Sequence, residues 1–210
     1  MELQSEVVAI ATELMGVVKR TYVADGDHVK AGNPLFALDD RDYRAALENA
    51  DAQIAVENAA LNSVERQLEA QDAVIAGQNA NLEAAEAQHQ LTRATRRRDA
   101  ILASSALISR QTFEIAVIDD LKGQAGVSAA MAALSEARRQ REVLIAQRME
   151  QRARLAAARS GRQRSAIALD RCVIRAPIDA TVLKVNIHAG EYARPQPSNA
   201  RLRRNRGVSG

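Results

Sequence analysis

The chain is poor in everything that builds a thick globular core. It has no tryptophan, and aromatic residues make up 2% of its 210 positions. The apolar fraction is 47%, but alanine supplies much of it and buries little area per residue. Thin, closely packed helices suit such a composition better than a compact domain does. Cys172 is the one cysteine, so no intrachain disulfide forms. Residues 35–176 contain no proline, and nothing there forces a helix to break. No apolar run approaches the ~20 residues of a membrane-spanning helix. The start, Met1-Glu-Leu-Gln-Ser-Glu6, lacks the basic residues and apolar stretch of a secretion signal. Taken alone, these features describe a soluble chain, either cytosolic or part of something longer.

Recognisable reaction chemistry is missing too. There is no glycine-rich phosphate loop and no Ser/His/Asp arrangement. His28, His89 and His188 are far apart in sequence and read as surface histidines rather than metal ligands. Asp25, Asp27 and Asp39 fall where turn and helix-cap chemistry accounts for them without acid–base catalysis. The 29 basic and 26 acidic residues are mixed along helical stretches and leave a net charge of +3. That pattern is a solvated helical surface rather than a nucleic-acid site. We therefore expect no enzyme, cofactor, metal or nucleic-acid partner.

What is present begins as β-structure. Val7-Val-Ala-Ile10, Val17-Val18 and Leu35-Phe-Ala-Leu38 read as short strands, punctuated by Ala24-Asp-Gly-Asp27 and Ala31-Gly-Asn-Pro34 as turns. At Asp39-Asp-Arg-Asp42 the character changes to a helix start with favourably placed acids. Leu47, Ile54, Leu61, Leu68, Ile75 and Leu82 then recur every seven residues, the signature of a coiled coil. Ala45, Ala52, Ala59, Ala73, Ala80 and Ala87 share that period and are expected to let the helices approach closely. A return arm shows the same period in Phe113, Val127, Leu134, Leu155 and Leu169, interrupted by Asp120, Arg141, Arg148 and Arg162. Those arginines are expected to lay their methylenes on the seam and hold their heads in water. Gly123 and Gly126 predict a softer stretch near the far end.

Between the arms, Ser104, Ser105 and Ser109 mark a turn. The arms, 42–102 and 109–169, are equal in length, each about 90 Å if wholly helical at ~1.5 Å per residue. Equal arms return Leu38 and Cys172 to the same place. There the sequence repeats itself. Val18-Lys-Arg-Thr-Tyr-Val-Ala-Asp-Gly26-Asp27 aligns at a constant offset with Val182-Leu-Lys-Val-Asn-Ile-His-Ala-Gly190-Glu191. The glycines predict tight turns needing positive φ. Neither half has strands enough to stand alone, so the two should close one small sandwich with pseudo-twofold symmetry.

These residues resemble the HlyD-type membrane fusion proteins, or periplasmic adaptors. Asp25-Gly-Asp-His-Val-Lys-Ala-Gly32 with Leu38-Asp39 is similar to the first lipoyl-like half of that family. Val173-Ile-Arg-Ala-Pro-Ile-Asp179 is similar to the opening of the second, with Ala180 standing where the family usually has Gly. The resemblance implies a mainly α fold with a small β domain: a long antiparallel coiled-coil α-hairpin inserted between two halves of a lipoyl-like β-sandwich. The β domain would comprise 6–38 plus 171–195 and the hairpin 41–169, with its tip near 98–109. Residues 196–210, polar and basic, are expected to be a disordered tail.

Arg98, Leu102 and Ser109 have the spacing of the family's tip motif. The resemblance implies that they form a partner-binding site for a TolC-like outer-membrane channel. Arg98 would give directional hydrogen bonds, Leu102 an apolar knob, and Ser109 a small polar contact or the N-cap of the return helix. It further implies an inner-membrane transporter as second partner, with Val182-Leu-Lys-Val-Asn-Ile187 leaning toward the ABC type. Homo-oligomeric assembly, a periplasmic location at the inner membrane, and a role in efflux or secretion also follow from it. No lysine lies where a lipoyl or biotin carrier would present one. The other reading the residues allow is a stand-alone structural coiled-coil protein with a β cap and no transport role.

Overall fold

The computed structural model describes residues 7–195 and 200–204. Four strands, β1 (Val7–Ile10), β2 (Gly16–Thr21), β3 (His28–Val29) and β4 (Pro34–Leu38), precede two helices. Helix α1 runs unbroken from Arg41 to Ser104 and α2 from Arg110 to Asp170. Strands β5 (Val173–Arg175), β6 (Ala180–Val185), β7 (Tyr192–Ala193) and β8 (Ala200–Arg204) follow. The fold is thus the expected one, an antiparallel helical hairpin set between two β halves. The chain divides into two compact units, residues 1–56 with 156–210, and residues 57–155. The division falls within the hairpin rather than at its feet.

In the first unit the strands form two four-stranded antiparallel sheets, ordered β1-β8-β6-β3 and β5-β4-β2-β7. Exchanging each strand for its counterpart in the other half converts the first order into the second. The hydrogen bonds repeat the same symmetry. The Gly26 N–H donates to the Val182 carbonyl (2.8 Å) and the Val182 N–H to the Asp27 carbonyl (2.9 Å). In the related position, the Gly190 N–H donates to Val18 and the Val18 N–H to Glu191, both at 2.8 Å. Gly26 and Gly190 have φ of 91° and 92°, the left-handed conformation that the repeat predicts. The Asp27 and Glu191 carboxylates each accept the backbone N–H three residues earlier, of Ala24 and His188. Asp25 and Asp179 tie one half to the other, accepting from the N–H groups of Val185 and Ala31. Ala180, in the family's glycine position, is an ordinary buried strand residue opposite Val29 and Arg204.

The sandwich core is Val18, Leu35, Phe36 and Leu38 from the first half and Cys172, Val182 and Leu202 from the second, all essentially inaccessible. Leu202 overturns one expectation. Residues 200–204 are not a disordered tail; they form β8, a central strand between β1 and β6. Ala200 and Leu202 point into the core while Arg201, Arg203 and Arg204 face out, so period-two alternation carries the strand despite its charge. The rest of the expected tail, 196–199 and 205–210, lies outside the described residues.

Along α1 the heptad stripe from Leu47 to Leu82 faces α2, with Leu68 buried. The alanines at 45, 52, 59, 73, 80 and 87 do not line this seam; all six are exposed. Each stands two residues before a position of the seven-residue series, on the far side of the helix. Close approach is supplied by the return helix instead, where Ala116, Gly123, Ala130 and Ala137 stand at seven-residue intervals on the facing side. Two of the arginine heads expected in water, those of Arg141 and Arg162, cross to α1, and the Arg152 head does the same. Within residues 57–155, Arg141 pairs with Asp72 (2.6 Å) and Arg152 with Glu65 (3.5 Å). In the first unit, Arg162 pairs with Asp51 (2.9 Å). Exposed pairs of this kind contribute at most about 1 kcal/mol each, and their main effect is on register.

Candidate functional site: the hairpin tip

The tip is built by a complete helix-termination motif. The Leu107 N–H donates to the Leu102 carbonyl (2.9 Å), and the Ala106 N–H to the Ala103 carbonyl (3.0 Å). These nested bonds form a Schellman motif and require a left-handed residue between them. Ala106 takes that position with φ of 55°, where glycine is more usual, and nothing in its sequence context signals it. The Ser104 and Ser105 hydroxyls both donate to the Ile101 carbonyl, which also accepts the Ser105 backbone N–H (3.3 Å). Ser109 then starts α2. Its Oγ accepts from the Thr112 N–H (3.1 Å), and its carbonyl accepts from the Phe113 N–H (3.3 Å). This is N-cap geometry.

The three residues predicted from spacing therefore have different surroundings. Arg98 is exposed and has no ion-pair partner among the described residues. Leu102 lies one helical turn further on the same face, half-buried at the base of the turn. Ser109 is exposed, but its hydroxyl is occupied by the cap and by the Thr112 hydroxyl (2.8 Å). Spacing alone missed the two most exposed large apolar side chains among the described residues, Ile101 and Leu107, which are 69% and 71% exposed.

Below the tip the apolar seam gives way to a polar layer. Continuing the α1 stripe past Leu82 by sevens gives His89 and then Arg96. The Asp120 carboxylate, from α2, lies 3.2 Å from His89 Nε2 and 2.8 Å from Arg96 Nε. His89 is thus a seam residue rather than the surface histidine expected. Beside it, Gly123 leaves no room for a side chain: a Cβ there would lie 2.8 Å from Thr92 Oγ1 and 3.2 Å from His89 Cα.

At the other end of the helices, Asp39 caps α1. Its Oδ1 accepts from the Arg41 N–H (3.2 Å), and its carboxylate is paired with the Arg41 guanidinium. The side-chain hydrogen bonds from Arg41 hold the Asp39 carboxyl down at about 2. Burial pushes the Cys172 thiol up to about 11, with the Asp40 and Asp39 charges adding to the effect. Among the described residues, no three His, Cys, Asp or Glu side chains gather as a metal site would require, and no helix is long and apolar enough to cross a membrane.

The described residues thus build a sandwich closed by two related halves, with a capped antiparallel hairpin between them. The chain belongs to the family described as RND MFP, barrel-sandwich hybrid domain, whose model matches residues 6–201. Among curated relatives it is similar to the multidrug resistance protein MdtN of Escherichia coli K12, 25% identical over 192 residues, covering 90% of this chain and 54% of that one. MdtN of Shigella flexneri is 24% identical over the same length. The chain thus spans about half the length of the curated relatives it matches. In fold it is similar to the periplasmic adaptor protein EmrA, with a TM-score of 0.55, 17% identity and coverage of 94% of this chain and 72% of that one. It is also similar to the soluble domain of LipC, a membrane fusion protein of a type I secretion system, with a TM-score of 0.50, 14% identity and coverage of 96% and 100%.

Proposed function

We propose that this chain is the barrel-sandwich and hairpin part of a periplasmic adaptor that joins an inner-membrane exporter to a TolC-like outer-membrane channel for efflux or secretion. The observation that carries the proposal is the reciprocal closure of one sandwich by both halves. It commits the intervening helices to a hairpin, whose turn is well capped. The mechanism is geometric. Several copies stand side by side at the inner membrane, and their tips meet the helical end of the channel. A single tip offers few contacts, so binding depends on several tips engaging together. Arg98 acts here as an exposed, directional hydrogen-bond donor.

The test is photo-crosslinking in the host cell, with a photoreactive residue at position 98 of the protein. The expected product is a covalent adduct with an outer-membrane channel, together with loss of resistance or secretion when the gene is deleted. An adduct with no outer-membrane protein, and no export phenotype on deletion, would refute the proposal in favour of a stand-alone coiled-coil role.

A further inference from the structure

Residues 105–109 separate two helices that nothing in the sequence obliges to stop. Residues 78–122 contain neither glycine nor proline. The left-handed position of the turn is Ala106, with φ of 55°, a conformation whose cost glycine would not bear. The seam also keeps one phase across the turn. On α1, Val64, Gln71, Gln78, Ala85, Thr92 and Asp99 are half-buried at intervals of seven. The inward series of α2 begins at Phe113, two heptads after Asp99, and runs by sevens to Leu169. Were 105–109 helical, that stripe would follow one face of a single coiled-coil helix. The companion series, from Leu61 to Ala103 and from Ala116 onward, slips by one residue across the turn. Coiled coils absorb such a stammer by local overwinding.

We propose that a second copy of this chain is a partner, and that the two exchange arms. With 105–109 straightened into helix, α1 of each copy lies against α2 of the other. Each sandwich is then closed by β1–β4 of one copy and β5–β8 of its partner. The contacts that hold the molecule together survive the exchange, because each joins a residue before the turn to one after it. This is true of Asp72 with Arg141, of Asp51 with Arg162 and of the Asp120 layer. It is equally true of Gly26 with Val182 and Val18 with Glu191 in the base. What is given up is confined to the turn: the Leu107–Leu102 and Ala106–Ala103 bonds and the Ser109 cap, which continuous helical bonds replace. Two left-handed alanines are relaxed in every pair. The exchange is twofold and closed, so it stops at the dimer. Mass action sets the balance, with the hairpin favoured when dilute and the exchanged pair when concentrated. The pair presents no turn, so its formation withdraws that surface. None of this depends on the adaptor reading.

The test refolds the full chain from urea at about 1 µM and about 100 µM and reads mass by light scattering after size exclusion, with circular dichroism as the check on folding. The expected result is monomer at the lower concentration and a dimer of native helicity at the higher. Once isolated, that dimer should persist on dilution, because separating it requires both sandwiches to open. Two chains lacking Cys172 (Cys172→Ala), one carrying Asp72→Cys and the other Arg141→Cys, are refolded together and treated with a short bis-maleimide; the dimer should yield an adduct between chains. Ala106→Gly eases the turn and weakens the straight helix, and should lower the dimer yield at least about tenfold. Ser104→Ala with Ser105→Ala favours the straight helix and should raise it. Monomer alone at both concentrations, a dimer without the adduct between chains, or an Ala106→Gly chain that dimerises as the parent does would each overturn the inference.

Discussion

Two glycines one helical turn apart on α2 should respond in opposite directions to the same substitution. Gly126 has nothing within 4 Å of an added Cβ, so Gly126→Ala gains only helix propensity, about 1 kcal/mol. Gly123 faces α1, where the new methyl would meet Thr92 Oγ1 at 2.8 Å, His89 Cα at 3.2 Å and His89 Cδ2 at 3.3 Å. The Thr92 hydroxyl donates to the His89 carbonyl (3.0 Å), so displacing it forfeits a hydrogen bond of about 1 kcal/mol. His89 Cα is backbone and moves only if the helices separate. Overpacking of that kind costs about 1–3 kcal/mol. Set against the same propensity gain, Gly123→Ala is expected to destabilise by about 1–3 kcal/mol, and adding Thr92→Ala to recover part of the loss. Urea denaturation followed at 222 nm compares the midpoints, with an unchanged m-value confirming that stability alone has moved. Equal stabilisation by both alanines would refute the close approach of α1 and α2 at this layer.

Leu202→Ala should cost about 2–5 kcal/mol in the same assay, since it empties a fully buried position between β1 and β6; a cost near zero would return residues 200–204 to the role of a tail. Ser109→Ala removes the cap of α2 and should cost about 1 kcal/mol, with Ser109→Asn close to neutral, as read by thermal melting. Cys172, buried and with its thiol raised to about 11, is expected to resist Ellman's reagent at pH 8 in the native chain and to react fully in urea. Asp39 is depressed on folding, so its contribution is present above the unfolded carboxylate range near pH 4 and disappears as pH falls through about 2; carboxyl NMR should find that low midpoint and its return toward 4 in Arg41→Ala.

The seven-residue spacing of Leu47 to Leu82 and the Gly26/Gly190 repeat made the hairpin and the sandwich readable in the sequence, because each encodes a period or a backbone requirement. The seam was harder. Six alanines share the period of the leucine stripe, and period alone does not say which face they occupy. Only the phase does, and five residues past a seam position is outside. His89 and Arg96 were hidden differently. They obey the heptad but are not apolar, so a search for apolar repeats stops at Leu82. Strand β8 is the same problem at period two, where Ala200 and Leu202 are the only inward apolar signal among arginines. At the tip, Ser104, Ser105 and Ser109 located the turn. Exposure there depends on a left-handed Ala106 that no residue pattern announces, so the projection of Ile101 and Leu107 was not readable.

The position of β8 also bears on how the molecule is made. Its neighbours in the sheet are β1 and β6, and β1 pairs with no other strand among the described residues. A chain emerging from the ribosome or a translocation pore therefore exposes β1 long before β8 and completes its pairing only when residues 200–204 arrive. Pairings so distant in sequence form slowly and leave sticky edges meanwhile. The hairpin contacts are nearer in sequence at the tip and can propagate from it toward the feet. By the time β8 appears, the zipped helices already hold the two halves together, which removes most of the loop-closure entropy from the final step. The hairpin is thus an assembly jig for its own base. A lesion in its seam should appear first as misfolding or aggregation during biogenesis, before any defect in the mature protein.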